Sequence, residues 1–105
     1  MPSEFSIILT TAASASIVEA ITNRLLAERL AACVQATPIA SAYLWKGAIE
    51  RVDEQLLIIK AKTTDWADIE AAIKAAHDYE TPEIIRIEMA DASRAYLDWI
   101  VASTR

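Results

Sequence analysis

Residues of the kinds that build cofactor sites are scarce in this chain of 105 residues. It has one Gly, one Cys, one His and three Pro. A single glycine cannot build the Gly-rich phosphate loops of P-loop or Rossmann proteins, so both classes are excluded. One Cys and one His also exclude an intrachain disulfide and a zinc site within one chain, because such a site needs four ligands mostly of these types.

Basic clusters and long apolar runs are missing as well. The chain has 15 Asp and Glu against 10 Lys and Arg, which gives a net charge of -5. Without a basic surface, nucleic acid is not expected as a partner. No apolar stretch reaches the roughly 18 residues that span a bilayer, and the opening residues, Met1 to Glu4, are acidic. We therefore expect a cytoplasmic protein with a free thiol and without membrane insertion.

The composition is that of a globular protein. Apolar residues make up 54% of the chain and charged residues 24%, which does not indicate disorder. No linker, repeat or low-complexity tract is visible, and the length is that of one ordinary domain. We predict a single domain over residues 1–105.

Hydrophobic periodicity predicts alternating strands and helices. Ser16 and Glu19 fit a capping box at the start of the first helix, for which Ser14 is the other candidate cap, and Lys46-Gly47 is the strongest turn signal. Pro38 should kink or bulge its strand, or place it at a sheet edge. The predicted elements are strand 5–11, a helix ending near residue 29, strands 32–36, 41–44 and 49–62, helix 64–77, strand 83–89 and a helix after Ser93.

This order predicts an α+β fold of the ferredoxin-like, split βαβ type, written βαββαβ, with an antiparallel sheet and an added C-terminal helix. Two helices would cover one face of a four-stranded sheet. The strand 83–89 should be half-buried, with Ile85, Ile87 and Met89 pointing inward and Arg86 and Glu88 outward.

Several functions of ferredoxin-like proteins lack a required residue here. The segment Leu56–Lys62 has no aromatic side chain for base stacking, as RNA-recognition modules need. The loop 10–16 has no cation to bind an oxyanion, as a small acylphosphatase needs, and no Cys pair for copper transfer. No nucleophile is paired with a base, so we expect no enzyme and assign no catalytic residue.

The segment from Tyr43 to Lys62 is longer than a four-stranded monomer requires. Exposed strand edges must be paired or covered, and pairing between subunits would also bury Tyr43 and Trp45. We therefore expect a homo-oligomer. The alternative is a long hairpin that protrudes into solvent.

Five segments in order resemble the divalent-cation tolerance protein CutA family and span nearly the whole chain. They are Leu30-Ala31-Ala32-Cys33-Val34, Tyr43-Leu44-Trp45-Lys46-Gly47, the strand from Glu54 to Lys60, the segment from His77 to Ile84, and Tyr96-Leu97-Asp98-Trp99-Ile100. Two positions depart from the family pattern: Asp78 replaces a Pro, and Gln35 stands where Asn is common.

The resemblance implies a compact homotrimer formed through strand pairing between subunits, similar in architecture to PII signalling proteins. It also implies a link to divalent-metal tolerance, especially of copper. We therefore predict a trimeric copper-response or tolerance protein that binds metal ions, with Cu(II) or another divalent cation and no organic cofactor. The alternative is a PII-like sensor or scaffold that binds a small ligand in clefts between subunits.

Four residues are candidate metal ligands: His77, Cys33, Asp78 and Glu80. Imidazole and carboxylate groups suit Cu(II), and His77 is the chain's only imidazole. The structural alternatives are a capping or hydrogen-bonded His77 at a helix end and a Cys33 that acts as a small buried hydrophobe.

A second set of candidates would line an intersubunit cleft or contact a ligand: Trp45, Glu54, Lys60, Tyr79 and Glu83. Lys60 and Glu54 form either a cross-strand ion pair or part of a site for an anionic ligand. Trp45 and Tyr79 are interpreted first as interface or core aromatics.

Overall fold

The structure is a computed structural model that describes residues 3–105; Met1 and Pro2, at the start of the predicted domain, lie outside the described residues. Four strands form one sheet in the order β2-β3-β1-β4, and every neighbouring pair is antiparallel. The ferredoxin-like βαββαβ order with an added C-terminal helix is confirmed. The elements are β1 (Phe5–Ala12), α1 (Ala15–Ala27), β2 (Ala31–Trp45), β3 (Ala48–Lys62), a 3₁₀ turn (Thr63–Asp65), α2 (Trp66–Ala76), β4 (Ile84–Glu88) and α3 (Arg94–Ser103).

One face of the sheet packs against α1 and α2 and contains the core. Strand residues alternate between the two faces, so Ile8 on β1 and Leu57 and Ile59 on β3 point toward the helices and are fully buried. Their helical partners recur at intervals of three and four residues, as an amphipathic helix requires. The buried helical residues are Ile21, Leu25, Ile69, Ala72 and Ile73.

The first helix starts and ends differently from the prediction. Ser14 is the N-cap, but its hydroxyl bonds the Ser16 hydroxyl (2.7 Å) instead of a backbone N–H, so the Ser16 capping box is wrong. The helix ends at Ala27, because Arg29 adopts a positive φ of 55° and the Leu30 N–H donates to the Leu25 carbonyl (2.9 Å). This is a Schellman C-cap with Arg in the place of the usual Gly.

Strands β2 and β3 form a long hairpin that extends beyond the rest of the sheet. Lys46 and Gly47, at φ 50° and 81°, form the predicted turn. β1 pairs with β3 only as far as Gln55, so the seven residue pairs between Ile39↔Glu54 and Trp45↔Ala48 form a two-stranded ribbon about 20 Å long. We call residues 39–54 the arm. The predicted edge position of Pro38 is confirmed, because β2 is an edge strand; the irregularity in its pairing lies at Ala31 and Cys33.

The inward and outward faces of β4 are opposite to the prediction, whereas Met89, which directly follows the strand, is buried as expected. Ile8 pairs with Arg86, so Arg86 and Ile84 lie on the helix side, and the Arg86 guanidinium donates to the Ser6 hydroxyl (3.2 Å). Ile85 and Ile87 lie on the other face and are each 44% exposed. We call these two isoleucines the β4 patch.

The last helix begins at the predicted cap. The Ser93 hydroxyl accepts a hydrogen bond from the Tyr96 N–H (3.3 Å). Ile100 is fully buried, whereas Val101 is 52% exposed. Within residues 3–105, no helix is long and apolar enough to cross a membrane.

Candidate functional site

A groove lies between the arm and the segment that joins α2 to β4. Its volume is about 660 Å³, which lies in the range of small-molecule sites. We call it the groove. Its walls are formed by Thr11, Ala40, Ser41, Ala42, Tyr43, Trp45, Glu50, Glu54, Asp78, Tyr79, Glu80, Thr81 and Glu83.

The arm contributes one wall of the groove through strand alternation. Tyr43 pairs with Glu50, and Glu54 is four residues farther along β3, so all three side chains leave the same face of the ribbon. Leu44 and Ile49 are directly paired on the opposite face, where they are 75% and 68% exposed. The arm thus presents an acidic and aromatic face to the groove, and its opposite face carries an apolar pair near the turn. We call Leu44 and Ile49 the outer patch.

The opposite wall, residues 77–83, is held in place by His77. The imidazole is fully buried; its Nε2–H donates to the Thr11 carbonyl (2.6 Å), and its Nδ1 accepts from the Tyr79 N–H (3.1 Å). Because Nδ1 accepts from an amide, the ring proton is on Nε2. His77 thereby connects the end of β1 to the first residues of the segment.

Tyr79 joins the two walls. Its hydroxyl donates to the Glu54 carboxylate (2.8 Å), and Glu54 is only 7% exposed. Burial, together with the hydrogen bond to Glu54 and its negative charge, raises the pKa of the Tyr79 hydroxyl well above its usual range. The segment and the arm therefore hold each other across the floor of the groove.

Ionisation of Tyr79 should destabilise the fold at alkaline pH. Because the pKa of Tyr79 is raised in the folded state, the protonated hydroxyl stabilises the fold fully below the ordinary tyrosine pKa of about 10. This stabilisation is lost as the pH rises further. We expect the melting temperature of the wild type to fall more steeply than that of Tyr79→Phe between about pH 9 and pH 11. Absorbance titration near 295 nm should show no Tyr79 phenolate while the protein is folded. An additional phenolate in the folded wild type near pH 10.5, relative to Tyr79→Phe, would contradict this interpretation.

All the charged groups that line the groove are acidic. They belong to Glu50, Glu54, Asp78, Glu80 and Glu83, and no Lys, Arg or His is among the lining residues. Glu54 forms no ion pair with any residue in the part of the chain that the structure describes. A buried carboxylate without a cation is costly, so the groove attracts positive charge.

The predicted metal ligands are not assembled into a metal site. Both ring nitrogens of His77 are occupied by backbone groups, and Cys33 is on β2 opposite Lys60, away from the groove. Asp78 and Glu80 do line the groove, and Asp78 Oδ1 lies 3.5 Å from His77 Nδ1. Among residues 3–105, no three His, Cys, Asp or Glu side chains converge to hold a metal ion. The geometry therefore favours the structural alternative for His77.

The predicted cleft residues come together with one exception. Trp45, Glu54, Tyr79 and Glu83 all line the groove. Lys60 does not: it is on the same strand as Glu54, six residues away, and its ammonium donates to the Gln35 side chain (2.7 Å). The cross-strand ion pair with Glu54 and a site for an anionic ligand at these two residues are therefore not supported.

Sequence reasoning missed Glu50. The available signal was its spacing: Glu50 and Glu54 are an even number of residues apart on one strand and therefore share a face. Tyr79 was assigned to the cleft without its hydrogen bond to Glu54. That contact depends on the path of residues 77–83, which only the fold defines.

Comparison with known proteins places this geometry in a family. The sequence profile of the CutA1 divalent ion tolerance protein family matches residues 6–103. The divalent-cation tolerance protein CutA of Thermus thermophilus is 36% identical over 99 residues, covering 93% of this chain and 96% of the relative. That of Archaeoglobus fulgidus is 40% identical over 93 residues, covering 89% and 91%.

Solved structures agree with the sequence relatives. The CutA structure from Archaeoglobus fulgidus, described as a periplasmic divalent cation tolerance protein, superposes with a TM-score of 0.93 at 37% identity and covers 96% of this chain and 99% of that one. CutA1 from the psychrotrophic bacterium Shewanella sp. SIB1 gives 0.94 at 34% identity and covers 99% and 98%. The profile match, the sequence identity and the shared fold together show that the chain belongs to the CutA1 divalent ion tolerance protein family.

Proposed function

We propose that the protein acts in divalent-cation tolerance by binding cations in the groove, as a homotrimer and without catalysing a reaction. The single observation that carries this proposal is the charge of the groove, whose five lining carboxylates face no lining cation. A concave site lined by one sign of charge concentrates ions of the opposite sign. The family is associated with divalent cations, and the alternative prediction from the sequence is a protein that binds its ligand in a cleft. The proposal combines the two: the ligand is a cation, and the groove is where it binds.

The two apolar patches support the trimer. A two-stranded ribbon is marginal in water by itself, and the arm exposes Leu44 and Ile49 at its tip. The β4 patch lies on a different element, at the other edge of the sheet. Two distinct patches on one chain fit a head-to-tail contact between copies, and such contacts close into a ring when the rotation permits. We expect light scattering to give three times the chain mass of 11.5 kDa.

The cytoplasmic location expected from the sequence stays a proposal. The alternative location is the periplasm, because the Archaeoglobus fulgidus relative is described as a periplasmic protein. Fractionation of cells that produce the tagged full chain decides between the two compartments.

Copper provides the test of where cations bind. We expect the wild type and His77→Gln to bind Cu²⁺ equally in calorimetry near pH 7.5, with about tenfold glycine to remove adventitious metal, because both imidazole nitrogens already have partners. The amide of Gln replaces a donor and an acceptor, which favours folding of the variant. The paired variant Glu80→Gln with Glu83→Gln should bind severalfold more weakly, since Cu²⁺ accepts oxygen donors.

The control for the groove variant is Glu19→Gln, which removes a carboxylate from the exposed surface of α1, outside the groove. It should bind Cu²⁺ like the wild type. Loss of binding in His77→Gln alone would restore the imidazole as a ligand and overturn the groove assignment. Equal binding by all variants would mean that the groove does not bind copper.

A further inference from the structure

The groove contains features that a metal ion does not use. Besides its five carboxylates it is lined by three aromatic side chains, Tyr43, Trp45 and Tyr79. Aromatic faces add nothing to the inner coordination of a divalent ion, whereas they attract ammonium groups and pack against methylene chains. Trp45 already has a cation near its ring, because the ammonium of Lys46, a residue that does not line the groove, lies 5.6 Å from the ring centre.

The carboxylates occupy two opposing walls. Glu50 and Glu54 belong to the arm, whereas Asp78, Glu80 and Glu83 belong to the segment after α2. No three of them converge as a metal site would require within residues 3–105. A ligand whose positive charges are several ångströms apart can pair with both walls at once.

The floor of the groove is preorganised for a cation. Glu54 is more than nine-tenths buried, and its Oε2 accepts from Tyr79, so the carboxylate is held in place without a cation to compensate its charge. A ligand ammonium that reaches Glu54 therefore meets a carboxylate that no cation in residues 3–105 already pairs. Because the side chain is already ordered, binding costs little conformational entropy.

From these observations we propose that the groove binds an aliphatic di- or oligoamine, whose ammonium groups pair with the carboxylates of both walls while its methylene groups pack on Tyr43 and Trp45. The proposal rests on the proposed function, because it names the class of cation that the groove prefers. It makes the protein a receptor for an organic cation in addition to its family link with divalent ions. The volume of about 660 Å³ leaves room for such a chain.

The test is calorimetric titration of the full chain with spermidine, butane-1,4-diamine and butylamine, in a buffer without amines at low salt. We expect saturable binding of one spermidine per protomer, and at least about tenfold weaker binding of the monoamine than of the matched diamine, since only the diamine reaches both walls. Raising the ionic strength from about 0.05 to 0.5 M should weaken binding by about tenfold or more. Glu54→Gln and Glu80→Gln should each weaken spermidine binding by about tenfold, whereas the matched surface variant Glu19→Gln should not.

A parallel titration with Mg²⁺ and Mn²⁺ separates this inference from the proposed function. If the metal ions bind and depend on Glu54 and Glu80 while spermidine does not bind, the groove is a cation site and the amine proposal is overturned. If neither class of cation binds, the proposed function fails together with the inference. Spermidine binding that is unaffected by both groove variants would be nonspecific attraction to an acidic protein and would also overturn the proposal.

Discussion

Replacing Leu44 and Ile49 with aspartate is expected to convert the proposed trimer into monomers. The two side chains face each other across the arm, 75% and 68% exposed, and point away from the groove. If the patch is covered by a neighbouring subunit, each aspartate buries an unpaired charge three times per trimer, which costs several kcal/mol per interface. Light scattering at micromolar concentration should then give the mass of one chain.

A control for this variant exists on another surface. Leu26 on α1 and Val101 on α3 are also exposed hydrophobics, at 41% and 52%. Changing these two residues to aspartate introduces the same charge and should leave the trimer intact. If the arm variant and the control have the same mass, the outer patch is not an interface. Unchanged circular dichroism in the monomeric variant would show that the protomer keeps its secondary structure.

Replacing His77 with alanine should lower the free energy of unfolding by about 2–4 kcal/mol. The change removes a fully buried ring and leaves the Thr11 carbonyl and the Tyr79 N–H without partners, and each unsatisfied buried group costs roughly 1–3 kcal/mol. The measurement is urea unfolding at neutral pH, without metal. Asp78→Ala is the neighbouring control: its side chain is 61% exposed, so it should cost less than about 1 kcal/mol. If both variants are equally stable, His77 does not hold residues 77–83 in place.

The fold could largely be predicted from local signals. Gly47 indicates the hairpin turn, and the apolar periodicity predicts the order of the helices and strands. The end of α1 could not be predicted, because its Schellman cap uses Arg29 and the sequence has no Gly there. The turn at Gly47 and the cap at Arg29 both need a positive φ. Glycine adopts that conformation readily and so indicates a turn in the sequence, whereas an arginine gives no such signal.

The errors at β4 and at the site have a different cause. Alternation predicts that Ile85 and Ile87 share a face, but it does not say which face meets the helices; the pairing of Ile8 with Arg86 decides that. Similarly, His77 followed by Asp78 has the composition of a metal site. Whether an imidazole is free to ligate depends on its tertiary partners, here the carbonyl of Thr11, 66 residues earlier in the chain.

The sequence predicts some residues of the groove but not its contacts, because those contacts also depend on the tertiary fold. Tyr79 and Glu83 are among the predicted cleft residues, but the sequence does not show which residues they contact. The acidic character of the whole groove emerges only when the arm and residues 77–83 face each other. Charge spread over two distant segments has no local signature, so no sequence window could reveal it.

The most direct test of the central claim, that cations bind in the groove, is paramagnetic broadening by Mn²⁺ in amide NMR spectra of the isotopically labelled full chain. We predict that substoichiometric Mn²⁺ broadens the amides of Glu50, Glu54, Glu80 and Glu83 first, and that Glu54→Gln reduces this effect. Signals around Cys33, on the part of β2 outside the arm, should stay sharp. Broadening centred on Cys33, or spread evenly over the acidic surface, would contradict the account.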